Sequence, residues 1–264
     1  LHIPDGKAAE GRATIERLRA EVTSAQPWRS ARRAPVPGLV EAPRPTVTLN
    51  LAFTFRGLLA LGVPIRTLRG MPDEFIDGMA ARADILCDRF PRPDGSLASI
   101  EEAYDPVWLP QRNGGRRVHV LVTLNAQMDP RTGEAHHEHF GFMDGISDPV
   151  FEGQMAPEDL RRRAIGQGKL LPDQSWAPLA TGEFLLGWPD ESQETAGAAM
   201  PLAFSRNGTF MAYRKLHQNV FAWRAYMEQQ AAMLGALWNL PPEEATETLA
   251  AKFAGRWRNG IPLI

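Results

Sequence analysis

Cysteine is almost missing from this 264-residue chain, and the lone Cys87 excludes an internal disulfide and any cysteine-cluster metal site. Cys87 ends an apolar stripe with Phe75, Met79 and Leu86, so the expectation is a buried, inert thiol. No apolar run approaches the roughly 20 residues of a membrane-spanning helix. Charge of one sign is missing too. With 29 basic and 31 acidic residues the net charge is −2, which gives no pull toward nucleic acid or anionic lipid. The basic run Arg161-Arg162-Arg163 reads as a solvated helix face. Neither an internal repeat nor a low-complexity segment is present. The chain opens Leu1-His2-Ile3 without Met or a charged-then-apolar leader, so targeting is not legible from its start; the lone cysteine is compatible with a reducing compartment, and a cytoplasmic location is the expectation.

What is there suits a globular α+β protein. The hydrophobic fraction of 44% is enough to bury a substantial core in one large or two ordinary domains. Leu1-His2-Ile3 resembles a strand end, and Asp5 could cap a helix that places Ile15, Leu18 and Val22 on one face. Residues 26–45 are rich in Pro and Arg and read as a surface excursion. Alternation predicts a half-buried strand at Val47, Leu49, Leu51 and Phe53. Thr54 is placed to cap a short helix with Leu58, Leu59 and Leu61, stopped by Gly62 and Pro64. Pro72-Asp73-Glu74 opens another helix, and residues 117–125 read as a strand. Further expectations are a helix over 157–165, a short strand over 183–187 and a longer one over 208–216. Val220, Trp223, Met227, Ala231 and Leu234 mark a long amphipathic helix, and Pro241-Pro242-Glu243-Glu244 starts one with Leu249 and Phe253 inward. This order lacks regular βαβ alternation, so largely antiparallel sheets are expected.

Gly141-Phe142-Met143-Asp144-Gly145 sets one acid between glycines. Glycines permit a sharp turn and a close approach to a ligand, and burial or a nearby cation could tune the acid for proton transfer. An ordinary loop aspartate capping a turn is the simpler reading of an isolated Asp-Gly pair.

The longer run His139-Phe140-Gly141-Phe142-Met143-Asp144-Gly145-Ile146-Ser147-Asp148-Pro149 resembles the signature of dye-decolourising peroxidases. Further blocks resemble the same family in the same order: 49–58 with its Thr-x-Arg-Gly-Leu helix start, 182–188, 207–216 and 255–263. The resemblance implies two ferredoxin-like α+β domains with antiparallel sheets and flanking helices, of the dimeric α+β barrel kind. Residues 1–150 would form the first and 151–264 an incomplete second, which binds haem b. It implies that Asp144 is the distal acid-base residue, moving a proton between the oxygens of hydrogen peroxide. It places Phe142, Gly145, Ile146 and Ser147 along the haem. His217, after the strand expected over 208–216, reads either as a contact to a haem propionate or as a surface residue at a helix start. An aromatic reductant such as an anthraquinone dye or a phenol would then return electrons. Met143 departs from the arginine common at its position, which bears on local electrostatics and substrate preference.

In this family a proximal His and a distal Arg lie downstream of the block at 255–263, so the expectation is that the axial His lies outside these residues. A cut or gap is expected at Ile264, with the rest supplied by a further C-terminal segment or second chain; a homo-oligomer is compatible. His136, His137 and His139 with Glu138 offer metal-ligand chemistry, and a non-haem site of His137, His139 and Asp144 competes with a solvated turn carrying one structural His. His119 reads as a satisfied structural residue. Trp223, Trp238 and Trp257 read as core, and Tyr104, Trp108, Trp176 and Tyr213 as candidate electron relays, each more readily structural. A haem carrier with little turnover and a cofactor-free association module complete the alternatives.

Overall fold

The computed structural model describes residues 1–24, 42–43, 45–126, 137–143, 151–152, 169–174 and 177–263. Two compact units emerge: Leu1–Gln127 with Val150–Ala212, and Met128–Pro149 with Tyr213–Ile264.

The first unit is organised by an antiparallel pair, β1 (Val47–Phe53) and β2 (Val120–Ala126), in register from Val47 opposite Ala126 to Phe53 opposite Val120. Alternating apolar residues put Phe53, Val120 and Val122 on a face that packs Ile3, Leu61, Ile15 and Ala60. Leu1–Ile3 forms no strand ladder of its own, yet the amides of His119 and Val120 both donate to the Leu1 carbonyl, at 2.9 and 3.2 Å. Helix α1 spans Ala8–Arg19. Its cap position is Lys7 with no side-chain cap, and Asp5 lies in the preceding turn.

Helix α2 (Phe55–Ala60) starts where predicted, because the Thr54 hydroxyl accepts the Gly57 N–H. Two one-turn helices follow, α3 (Ile65–Leu68) and α4 (Asp73–Asp77), the latter with Pro72 at its cap position. A further turn, α5 (Ile100–Ala103), is fixed by a reciprocal Ser99–Glu102 capping box. Phe55, Leu68 and Met71 form a second core with Ala198 and Ala199.

The second unit holds two longer helices, α6 (Val220–Trp238) and α7 (Pro242–Ala254). The Asn219 side chain caps α6, and Asn239 ends it in the left-handed conformation. Met227 packs against Leu249 and Ala250, flanked by Phe142, Trp223, Leu234 and Trp238.

Several sequence expectations are corrected. Residues 183–187 form no strand: a 3-10 turn covers Thr181–Glu183, and Leu186 exchanges backbone hydrogen bonds with Asn207 and Gly208 in a tight loop contact. Residues 208–216 form no regular strand either, and Phe210, Met211, Tyr213 and Leu216 are exposed. Alternation supplies a strand's side-chain pattern but not the regular ladder that makes a strand. Among the described residues β1 and β2 form the one sheet. Phe253 is exposed, not inward, although its ring meets Trp223 and Tyr226. Cys87 is exposed and sits at φ +55°. The helix expected over 157–165 lies outside the described residues. Helices with a small antiparallel sheet make the class α+β, and no described helix is long and apolar enough to cross a membrane.

Candidate functional site

Asp144, Gly145, Ile146 and Ser147 lie outside the described residues, as do His136 and Trp176. The turn that leads into them, residues 137–143, is described, and it is held unusually completely.

Glu138 closes this turn twice. Its backbone N–H donates to the Phe142 carbonyl at 2.9 Å, and its carbonyl accepts the Gly141 N–H at 2.8 Å. Its carboxylate accepts the N–H of Phe140 at 2.8 Å on one oxygen and that of Phe142 at 2.7 Å on the other. The Gln218 side-chain amide donates to the same carboxylate. Burial opposes ionisation of Glu138, but these donors and the neighbouring His139 outweigh it and hold the carboxyl below its ordinary range. The His137 ring donates through Nδ1 to the Gly141 carbonyl at 2.8 Å, which fixes its tautomer. His137 and Met143 face each other in an isolated antiparallel bridge.

Arg258 grips the turn from a second direction. Its guanidinium donates to the Phe140 carbonyl, and its backbone carbonyl accepts the Met143 N–H at 2.8 Å. Glu247 on α7 orients that guanidinium through Nε at 3.0 Å. The guanidinium also lies 5.4 Å from the centre of the Phe142 ring. Arg258 is presented by a turn that Gly255 starts in the left-handed region, at φ +69°. The Asn259 side chain and an Arg256–Pro262 bridge close it. Phe140 stacks on Trp223 at 4.9 Å, so the turn is seated on α6 by an aromatic contact as well.

Of the expected site residues, then, Phe142 is described as half-buried between Trp223 and Arg258, and His217 as exposed. His137 and His139 are both exposed, while Glu138 is the anchored member of that cluster. Among the described residues no group of three or more His, Cys, Asp or Glu side chains gathers into a metal site. Glu138, Gln218, Glu247 and Arg258 were not legible as one cluster, because Arg258 is 118 residues from Phe140 and no spacing rule links them. The nearest signal was an acid two residues ahead of a Phe-Gly-Phe turn.

Two other residues singled out in the sequence have defined partners. His119 is buried and its Nδ1 accepts the Ile3 N–H at 3.0 Å, with the His2 ring 4.9 Å away. Tyr104 donates its hydroxyl to the Asp88 carboxylate, and burial raises its pKa.

A scan against protein-family models finds none that matches the chain. Curated relatives do. The chain is 28% identical over 234 residues to a dye-decolorizing peroxidase of Mycena epipterygia, an alignment covering 83% of the chain and 40% of that protein. It is 28% identical over 243 residues to peroxidase 2 of Mycetinis scorodonius, covering 85% and 41%. Among solved structures, a dye-decolorizing peroxidase in complex with 2,6-dimethoxyphenol superposes with a TM-score of 0.57 at 24% identity, covering 99% of this chain and 55% of that one. An ancestral D-type dye decolorizing peroxidase gives a TM-score of 0.50 at 26% identity, covering 82% and 46%. The chain is thus a homologue of the dye-decolourising peroxidases, and it spans about two fifths of the length of the curated relatives it matches.

Proposed function

We propose that this chain contributes the distal half of a haem-dependent peroxidase site, in a protein that reduces hydrogen peroxide and oxidises bulky aromatic reductants. One observation carries the reading: the run from Phe140 to Pro149, with its ordered companion blocks, in a chain similar to dye-decolourising peroxidases over 83% of its length. The anchored turn before Asp144 supports it, since an acid must be held in place to move a proton productively. The two ferredoxin-like domains, divided near residue 150, belong to the same proposal.

In this reading Gly145, Ile146 and Ser147 line the group, Phe142 supports the loop through its packing, and exposed His217 is available to a propionate. Haem, when bound, would supply the redox chemistry that reduces peroxide, and the role left to this chain would be that of the Asp144 carboxylate, which would accept a proton from peroxide and return it.

The test uses the product of the full natural gene. A Soret band and hydrogen-peroxide-dependent bleaching of an anthraquinone dye are expected, and Asp144→Asn keeps the band while losing the bleaching. Purified protein without porphyrin overturns the reading. Stoichiometric zinc or manganese instead would point to His137, His139 and Asp144, and a Soret band without turnover in the parent protein to haem handling.

A further inference from the structure

Across Phe140, Gly141 and Phe142 every backbone N–H and carbonyl has a partner. The donors go to the Glu138 carboxylate and carbonyl. The carbonyls accept from Arg258, His137 and the Glu138 N–H. Backbone groups of an exposed turn normally leave some of this to water. Here a single carboxylate gathers two amides two residues apart and a side chain from just ahead of α6. Neutral side chains could pack the same space, but only an ionised acceptor satisfies three converging donors at once.

We propose that Glu138 is a positioning residue for the acid loop: its carboxylate fixes the Phe140–Met143 backbone from which Asp144 departs, and so sets where that acid meets peroxide. This rests on the peroxidase reading of Asp144. Asp144 is the next residue after Met143, whose N–H is itself held by the Arg258 carbonyl. Gln218 is the outside tie, joining the carboxylate to the chain that enters α6.

The experiment compares the full-length haem-loaded protein with Glu138→Gln and with the milder Gln218→Ala. Gln at 138 keeps one acceptor oxygen but loses the second and the charge. Amide hydrogen exchange at Phe140 and Phe142 should accelerate in both variants, by roughly tenfold or more in Glu138→Gln as a held amide is released. Peroxide-dependent kcat should fall by roughly 10- to 100-fold while KM for the dye stays within about twofold, the signature of a misplaced catalytic group. Glu138→Asp should recover part of the loss. Unchanged exchange overturns the clamp, and faster exchange with unchanged kcat overturns the positioning role. If Glu138→Gln does not fold, Gln218→Ala decides by the same two readings. A parent protein with a Soret band but no peroxide turnover removes the peroxidase reading and this proposal with it. An active parent indifferent to Glu138 removes only the proposal.

Discussion

The carbonyl oxygen of His119 occupies the space that a β-carbon on Gly57 would need. The same carbonyl accepts the Thr54 N–H at 3.1 Å, so the start of α2 is pressed directly onto the chain entering β2. A glycine in a six-residue helix is costly in isolation, but here it admits a backbone contact that no other residue allows.

Gly57→Ala should therefore destabilise the first unit by about 3 kcal/mol, because backbone atoms and not a flexible side-chain end stand in the way. Denaturant titration checks this. A variant as stable as the parent would mean that α2 can slide away from His119 freely.

Thr54 has two roles at that junction. Its hydroxyl accepts the Gly57 N–H at 3.0 Å and donates to the Val118 carbonyl at 2.9 Å. Thr54→Ala should cost about 1 kcal/mol for the lost cap, and Thr54→Ser should restore nearly all of it.

His119 predicts a pH dependence. Burial comes first in lowering its pKa, and His2, Arg117 and the Leu1 amine add to the effect while Asp5 opposes it. With the folded value below 6.5, the unfolded chain binds the extra proton first as pH falls. Stability from this group is thus complete above 6.5 and declines below it, toward the folded value. Protonation also removes the acceptor for the Ile3 N–H. His119→Asn keeps an acceptor and does not titrate, so melting curves across this range should show a shallower pH slope than the parent's.

Gly141 lies at φ +96°, and a β-carbon there would collide with the Arg258 guanidinium. Gly141→Ala should cost about 1–3 kcal/mol in backbone strain and should loosen Arg258 from the Phe140 carbonyl. Faster exchange of the Met143 amide would report the second effect, and an unchanged rate would show that Arg258 finds another route to the turn.

Local patterns in the sequence carried much of the fold. The alternation at 47–53 and the Thr54 cap led directly to β1 and α2, and apolar spacing led to α6 and α7. The failures share a cause. Residues 208–216 have strand-like alternation but form no regular strand, and the position of Cys87 depends on a left-handed residue that no apolar stripe announces. At the candidate site the histidines drew attention by residue type, yet the anchoring falls to Glu138 and Arg258. Their partners are backbone groups, and hydrogen bonds to backbone leave no periodic trace in a sequence.

Leu1–Ile3 is held by residues 116 to 119 positions away, and Phe55, Leu68 and Met71 close their core with Ala198 and Ala199. During synthesis both sets of partners leave the ribosome long after the groups that wait for them. The first unit therefore cannot mature from its N-terminus onward. Its early helices emerge before the residues that cover their apolar sides have been made.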